Sequence, residues 1–383
     1  MEDMVGGEAP GQGLVEPGFW RDRRVLVTGH TGFIGGWAVA WLRQMGAIVT
    51  GYALPPPTKP SFYEACRIGG RLAEVIDDVR SFDALRKAFA QARPQVVLHL
   101  AAQSLVRTGY EAPAATFDVN LLGTVNVLEA ARNGPVDAVV LMTSDKVYEI
   151  GKAPTAYRED DRLGGSAPYE ASKACCELTA HAYARCYFGP AGIGLATVRA
   201  GNVIGGGDWA RDRLFPDAMR AFAADLPLQL RRPSAVRPWQ HVLDAVSGLL
   251  VVAETGVRRG QPIGAWNIVP GRDAQTTTRQ LAGLAATAWG DGARVVETET
   301  AMFPETEFLA LDGAKARRQL GWRSAWTLEQ TVAHSVEWYR AVLRGEDAWA
   351  KTMQHIDAYC AGRRAHVAAV PETEHALHAD APC

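Results

Sequence analysis

Short apolar runs recur along the first half of the chain, and stretches with helical spacing separate them. The runs lack polar alternation, as expected for strands of a parallel sheet that is covered by helices on both faces. The predicted strands are 25–27, 47–52, 72–76, 95–101, 136–142 and 193–198. The predicted helices are 33–45, 81–92, 114–132 and 168–188. This order predicts an α/β fold with a Rossmann-type, doubly wound parallel sheet.

The rhythm loosens after residue 199, where loops rich in Gly, Trp and Pro begin. Helices are predicted there at 242–254, 276–287 and 328–343, and strands at 265–268 and 294–297. The predicted organisation is a disordered leader at 1–18, a Rossmann domain at 19–199 to which 235–268 returns, a smaller C-terminal substrate-binding lobe mainly at 200–345, and a partly disordered extension with one more helix at 346–383.

Composition narrows the classes of protein that fit. The chain has 383 residues and a net charge of −2, which gives no reason to expect a nucleic-acid or membrane partner. Short basic clusters such as Arg231-Arg232 are interpreted as solvated surface. The six cysteines show no CxxC pair and no metal-ligand spacing with histidine, so free thiols and no metal site are predicted. No apolar run reaches about 20 residues, and the first residues do not read as a signal peptide, so a cytoplasmic location is expected.

A glycine-rich turn joins the first predicted strand to the first predicted helix. Gly29 allows a tight exit from the strand, Gly32 lets a pyrophosphate approach the backbone, and Gly35 lets the helix pack closely on the sheet. The helix N-terminus then offers free N–H groups and a positive dipole end to phosphates. The sequence therefore predicts a bound dinucleotide, with contacts from Gly29, His30, Thr31, Gly32, Phe33, Ile34 and Gly35. For His30 the alternative is a loop-capping imidazole.

The second strand lacks the acidic residue that usually holds the adenosine ribose. We take NAD as the cofactor, but this strand leaves the choice between NAD and NADP open. Asp78, just after the third strand, is a candidate for the adenine amino group. Asp77 and Asp78 are equally able to cap the next turn.

Tyr169 and Lys173 form a YxxxK pair at the start of a long predicted helix. Residues four apart share a helical face, and an ammonium beside a phenol favours the phenolate. Such a base takes a hydroxyl proton while a nicotinamide takes hydride from the same carbon. Upstream, Ser144 follows a buried strand and offers a hydroxyl to the reacting oxygen. The alternative for YxxxK is an ordinary surface pair.

At this point the sequence resembles the extended short-chain dehydrogenase/reductases, and among them the CDP-glucose 4,6-dehydratases. The likeness runs from Phe19 to about Arg340. Its most specific stretches are 27–33, 143–146, 199–209 and 237–242, which read VTGHTGF, TSDK, RAGNVIGGGDW and RPWQHV. The resemblance implies further cofactor contacts from Asp78, Val79, Leu100, Ala101, Ala102, Gln103 and Asn120, together with Tyr169 and Lys173.

The resemblance also implies a lyase with internal redox chemistry. NAD takes hydride from C4 of the hexose, water is lost across C5 and C6, and the hydride returns to C6. Asp145 stands where an acid protonates the leaving hydroxyl, and Lys146 where a base removes the C5 proton. Lys146 is alternatively a contact to cofactor or substrate.

Nucleotide-sugar contacts are implied for Arg107, Asn202, Trp209 and Arg237. An arginine suits a pyrophosphate because it makes bidentate, charge-assisted hydrogen bonds. The alternatives are a strand-end hydrogen bond for Asn202 and a surface charge for Arg237. The chain departs from the family pattern at Ile34, commonly Lys, and at Val147 and Glu149, which replace a Cys-x-Asp pattern near the sugar.

Two other functions remain compatible with the sequence. A nucleotide-sugar 4-epimerase needs Ser144, Tyr169, Lys173 and NAD, but has no use for the Asp145-Lys146 pair. The other is a nucleotide-sugar-binding protein that kept the pocket and lost the chemistry, and the intact set of Ser144, Tyr169 and Lys173 argues against it. The family resemblance further implies a homodimer formed through helices 114–132 and 168–188.

Overall fold

The computed structural model describes residues 13–151, 155–271, 275–298 and 306–369. Its strands are β1 Arg24–Thr28, β2 Ile48–Ala53, β3 Ala73–Ile76, β4 Val96–His99, β5 Ala138–Met142, β6 Ala156–Tyr157, β7 Gly194–Ala200, β8 Asn202–Ile204, β9 Leu228–Leu230, β10 Val236–His241, β11 Gly264–Ile268, β12 Gln275–Thr277, β13 Val295–Glu297 and β14 Ala310–Leu311. Its helices are α1 Pro17–Trp20, α2 Phe33–Gln44, α3 Phe62–Ala65, α4 Phe82–Ala92, α5 Val106–Glu111, α6 Pro113–Phe117, α7 Gly123–Arg132, α8 Pro168–Tyr183, α9 Leu214–Ala223, α10 Val242–Arg259, α11 Thr278–Trp289, α12 Ala314–Leu320, α13 Leu328–Leu343 and α14 Ala348–Ala369.

The main sheet has seven strands in the order β11-β7-β5-β4-β1-β2-β3. Every neighbouring pair in it is parallel. The chain builds outward from β1 to β3 and then returns to the other side of β1 through β4. Ligands of such sheets bind where the direction of winding reverses, beyond the carboxyl ends of the strands. The predicted Rossmann-type fold is therefore confirmed.

Apolar strands are explained by the two cores that sandwich this sheet. Along β1, Val25 and Val27 face the core formed with α2 and α10. Leu26 faces the opposite core, with α4 and α7. Both faces are buried, which is why alternation is missing from the sequence.

The second half of the chain forms the smaller lobe and also completes the main sheet. Strand β11 joins the main sheet by pairing with β7, and helix α10 packs against that sheet. Strand β10 instead pairs with β8 and β12 in a separate three-stranded sheet. Segment 235–268, predicted to return to the Rossmann domain, is thus divided between the two.

Residues 13–18 differ from the predicted disordered leader. The Gly13 carbonyl accepts a 2.6 Å hydrogen bond from Arg363, and the Glu16 amide donates to Glu254 over 3.0 Å. Trp20 is fully buried and also donates to Glu254. These partners lie more than 200 residues away, so composition alone did not reveal them. Residues 1–12 lie outside the described residues.

The C-terminal extension begins with α14, a longer helix than the sequence suggested. It contacts α13 and α2, and the Gln44 amide donates to Asp357 over 2.8 Å. A loose end is predicted after about Arg364, but α14 continues to Ala369; residues beyond 369 lie outside the described residues. In the part of the chain that is described, no helix has the length and apolarity required to cross a bilayer.

Candidate active site

A cleft of about 460 Å³ opens where the carboxyl ends of the central strands meet the smaller lobe. All five predicted catalytic residues line it: Ser144, Asp145, Lys146, Tyr169 and Lys173. Of the predicted ligand contacts, Phe33, Ile34, Leu100, Ala102, Arg107, Asn202 and Arg237 also line it. The fold therefore brings together residues that are far apart in sequence.

The glycine turn has the form that a pyrophosphate needs. Gly29 has φ +78°, a left-handed conformation that glycine adopts without strain. A Cβ at Gly35 would overlap the Gly29 carbonyl, so turn and helix pack too closely for a side chain. Helix α2 begins after Gly32, and no side chain caps its N-terminus. These residues fit the phosphates of a dinucleotide.

His30 and Thr31 support this turn from behind. The His30 ring is buried, and its Nε2 lies 2.8 Å from a Glu74 carboxylate oxygen. Burial lowers the pKa of His30, and the hydrogen bond to Glu74 opposes that change. The Thr31 hydroxyl donates to the Leu54 carbonyl over 2.8 Å. Neither residue lines the cleft; the buried ring of His30 fits the loop-supporting alternative, and its contact to the cofactor stays a prediction.

The Asp78 carboxylate is bound by Arg80 within its own turn. It accepts a hydrogen bond from the Arg80 amide and forms an ion pair with the Arg80 guanidinium. The hydrogen bond from the Arg80 side chain lowers the pKa of Asp78. Asp77 likewise accepts from the Asp78 amide. The contact to adenine stays a prediction, while Val79 is buried against Gly123.

The loop after β4 is held by hydrogen bonds of residues that were predicted to contact the cofactor. The Ala101 amide donates to Thr28 over 3.2 Å. Asn120 is buried, accepts from the Gln103 amide, and donates to Ser172 on α8 over 2.9 Å. Asn120 therefore ties this loop to the helix that carries the catalytic pair.

Tyr169 and Lys173 are both buried on α8. Burial raises the pKa of Tyr169 to about 12, and a hydrogen bond with Ser144 and the charge of Arg213 oppose the rise. Burial lowers the pKa of Lys173, whose ammonium donates to the Met142 carbonyl over 3.1 Å. The phenol, the hydroxyl and the ammonium thus converge at the end of β5.

Asp145 is suited to carry a proton. Its side chain is buried, and burial raises its pKa although the charge of Lys146 opposes this. Ser144 donates to one of its oxygens over 3.0 Å. The other oxygen has no hydrogen-bond partner among the described residues. A carboxyl with a raised pKa and an oxygen available in a cleft is a candidate general acid.

Lys146 has an unforeseen partner in Glu170. The two charges lie 3.7 Å apart, and both side chains are largely buried. Glu170 also accepts hydrogen bonds from the Ser166 and Ala167 amides at the start of α8. The sequence hinted at this residue only through its position next to Tyr169.

Arginines form the wall of the cleft opposite the sheet. They are Arg107, Arg211, Arg213, Arg231, Arg232 and Arg237. Arg213 is held by Asp208 over 3.0 Å and by Ser104 over 2.8 Å. The Arg231-Arg232 cluster was interpreted as solvated surface. Arg231 is exposed, in agreement with that interpretation, but both residues, which directly follow β9, also line the cleft.

Of the predicted substrate contacts, Arg237 lies at the cleft and Trp209 lies away from it. Arg237 is buried beside the cleft, and its guanidinium donates to the carbonyls of Val236 and Glu307. Trp209 does not line the cleft. Its ring packs edge-on against Tyr339 at 5.0 Å between centroids, and its contact to the nucleotide sugar stays a prediction.

Comparisons with known proteins agree with this geometry. Residues 25–268 match the family model described as NAD dependent epimerase/dehydratase family. The chain is 43% identical to a CDP-glucose 4,6-dehydratase of Salmonella typhimurium, over 90% of this chain and 98% of that protein. It is 29% identical to a UDP-glucose 4-epimerase of Mycolicibacterium smegmatis, over 83% and 98% respectively. A crystal structure of a DesIV double mutant, a dTDP-glucose 4,6-dehydratase from Streptomyces venezuelae with NAD and DAU bound, superposes with a TM-score of 0.71 at 26% identity, covering 85% of this chain and 99% of that one.

Proposed function

Because the chain belongs to the NAD dependent epimerase/dehydratase family, we propose that it is a lyase that converts CDP-glucose into CDP-4-keto-6-deoxyglucose. The observation that carries the proposal is the Asp145-Lys146 pair in one cleft with Ser144, Tyr169 and Lys173. The identity of 43% to the Salmonella enzyme, along nearly the whole chain, supports the choice of substrate.

Reaction at C4 needs a base for the sugar hydroxyl. When bound, NAD supplies a hydride acceptor for C4 and a hydride donor for C6. Tyr169 takes the C4 hydroxyl proton, and Ser144 donates a hydrogen bond to the same oxygen. Since burial holds the phenol proton tightly, the positive charges of Lys173 and Arg213 are needed to stabilise the phenolate.

Loss of water needs a proton donor for the C6 hydroxyl and an acceptor for the C5 proton. Burial raises the pKa of Asp145, which favours its protonated form, and the oxygen without a hydrogen-bond partner among the described residues is the one that can deliver a proton. We assign the C5 proton to Lys146, which must first pass a proton of its own ammonium to Glu170, its ion-pair partner at 3.7 Å, and so gain the lone pair that a base needs. A Lys146→Met variant should then fail to exchange the C5 proton with deuterated solvent.

The diphosphate is assigned to the arginine wall. Arg237 and Asn202 are proposed to bind it, and Arg231 offers a further guanidinium. Arg107 and Arg231 share the Asp212 carboxylate in this structure, at 3.4 and 2.9 Å. Phosphate oxygens are acceptors of the same geometry, so either arginine can exchange one anion for the other.

The test is incubation of the purified chain and NAD with CDP-glucose, UDP-glucose or dTDP-glucose, followed by mass measurement of the sugar nucleotide. Loss of one water from CDP-glucose is expected, with slower or no loss from the other two. The matched control is Tyr169→Phe, which should bind NAD but not turn over. Near-normal turnover by that variant would remove Tyr169 from the mechanism.

A 4-epimerase is the second candidate, supported by the likeness to the Mycolicibacterium epimerase. Epimerisation inverts C4 and leaves the mass unchanged. The buried Asp145 carboxyl favours the lyase, because epimerisation has no leaving group to protonate. An unchanged mass with inverted C4 would establish the epimerase instead.

We also propose that the protein is a cytoplasmic homodimer. Helices 114–132 and 168–188 expose large apolar side chains, with Leu122 at 45%, Leu178 at 60% and Tyr187 at 46% exposure. A shallow apolar surface beside them includes Phe117 and Leu121. Light scattering should give twice the chain mass, and Leu178→Glu should reduce it to one.

A further inference from the structure

Two histidines and a glutamate meet between α13 and α14, outside the cleft. We propose that His334, Glu337 and His355 form a binding site for a divalent transition-metal ion such as Zn²⁺. One ligand atom from each residue lies within 4.8 Å of the others. None of the three lines the cleft, so the site is separate from the proposed chemistry.

The separations match those around a tetrahedral ion. Zinc binds imidazole nitrogen and carboxylate oxygen at about 2.0–2.2 Å, which places neighbouring ligand atoms about 3.4 Å apart. One Glu337 oxygen lies 3.5 Å from His334 Nδ1 and 3.3 Å from His355 Nε2. An ion can therefore enter between these atoms with small side-chain movements.

The site is assembled from two helices. His334 and Glu337 are three residues apart on α13, and residues at that spacing are neighbours on one helical face. His355 comes from α14, which packs against α13. Glu337 and His355 are 18 positions apart in the chain. Because the third ligand comes from a different helix, the sequence shows no local metal-ligand spacing.

Aromatic packing fixes both imidazoles. The His334 ring stacks on Trp326 with centroids 4.1 Å apart. His355 is only 2% exposed, and its ring lies nearly parallel to that of Trp37 at 6.5 Å. Rings held by packing lose little further freedom when they bind an ion, which favours a preformed site.

Ordinary hydrogen bonding leaves this cluster incompletely satisfied. His334 Nδ1, the atom that faces Glu337, is buried and has no hydrogen-bond partner among the described residues. The 3.5 Å separation between His334 Nδ1 and Glu337 is too long for a good hydrogen bond. Two imidazoles therefore face one carboxylate oxygen, and the His334 nitrogen makes no good hydrogen bond to it.

Lys351 limits the affinity of the site. Its ammonium lies 3.0 Å from the second Glu337 oxygen, where it holds the carboxylate but also repels a cation. Replacing it with an uncharged side chain of similar length should strengthen metal binding. That response distinguishes a metal site from a hydrogen-bonded cluster, which would gain nothing.

An ion at this site would fasten α14 to the body of the protein. Helix α14 also contacts α2, whose N-terminus forms the proposed phosphate site. A ligand that binds only the folded chain raises its stability. Saturating Zn²⁺ should therefore raise the midpoint of thermal unfolding.

The direct test is titration of the metal-free full chain with Co²⁺, followed by its visible absorption. Tetrahedral nitrogen and oxygen coordination gives intense bands, and one equivalent should saturate them. His334→Ala and His355→Ala should each weaken binding at least about tenfold. The matched control is His181→Ala, an exposed histidine on α8, which should change nothing.

Two further variants keep the test decisive if an alanine variant folds poorly. Glu337→Gln preserves the shape of a half-exposed side chain and should weaken Co²⁺ binding about tenfold or more, whereas Lys351→Met should tighten it. The proposal is overturned if folded wild-type protein shows no saturable tetrahedral signal. It is equally overturned if the signal survives in both His355→Ala and Glu337→Gln.

Discussion

The buried ion pair between Glu177 and Arg199 supports the catalytic strand end. Both side chains are at most 4% exposed. Glu177 accepts two hydrogen bonds from Arg199, at 3.0 and 2.8 Å, and one from Thr197 at 2.7 Å. It also accepts from Thr143, the residue before Ser144. Glu177→Gln would keep the size of this side chain but remove the charge that balances Arg199.

The magnitude follows from the burial of the pair. Removing one partner of a buried ion pair costs about 3–5 kcal/mol, because the other charge stays in a low-dielectric environment. For a chain of 383 residues, the entropy of unfolding is about 0.8 kcal/mol per kelvin near the midpoint. The thermal midpoint of Glu177→Gln should therefore fall by about 4–6 °C.

The assay is thermal unfolding followed by circular dichroism, with Glu129→Gln as the matched control. Glu129 pairs with Arg132 at 2.7 Å, but those side chains are 27% and 37% exposed. An exposed pair contributes at most about 1 kcal/mol, so the control should shift by about 1 °C or less. Equal shifts in the two variants would refute the claim that burial sets the cost. Turnover should fall in Glu177→Gln alone, because only that change disturbs Thr143.

Three other predictions test separate parts of the molecule. Asp145→Asn should still reduce NAD in a single turnover, detected by absorbance, while water loss slows by about 10²–10⁴-fold; unchanged water loss would exclude Asp145 as the acid. Burial raises the pKa of Glu254 from 4.5 to about 7, so folding takes up a proton, and the free energy of unfolding should fall by about 3 kcal/mol as pH rises through that window. Glu254→Gln should flatten this slope in denaturant titrations at several pH values, and identical slopes would contradict the assignment. Gly35→Ala should abolish NAD binding measured by calorimetry, because its Cβ meets the Gly29 carbonyl, whereas Gly18→Ala, with open space around it, should bind normally.

The main sheet was predictable because its signal is local. A strand such as β5 is apolar throughout, and its burial on both faces follows from composition and length. Helix α13 was predicted with its observed bounds, since Thr327 caps it and accepts from the Gln330 amide. The leader at 13–18 was not, because its partners Glu254 and Arg363 are distant in sequence.

The candidate site shows the same distinction between local sequence signals and contacts made by distant residues. Tyr169, Lys173 and the glycine turn carry their spacing in the sequence, so their meeting in one cleft was expected. Glu74 behind His30, and Arg213 near Tyr169, act through contacts that only the tertiary fold creates. The packing of Trp209 against Tyr339 is likewise a tertiary contact that its motif did not reveal.

One helix face links the chemistry of this cleft to the stability of the fold. Tyr169, Lys173 and Glu177 follow one another at intervals of four along α8, and all three are buried. The first two face the reacting sugar in the proposed mechanism, while the third balances Arg199 and holds Thr143. A shift of α8 by one residue would remove the phenol from Ser144 and at the same moment unpair a buried arginine. The cost of the unpaired charge therefore opposes such a shift and holds the candidate catalytic phenol near Ser144.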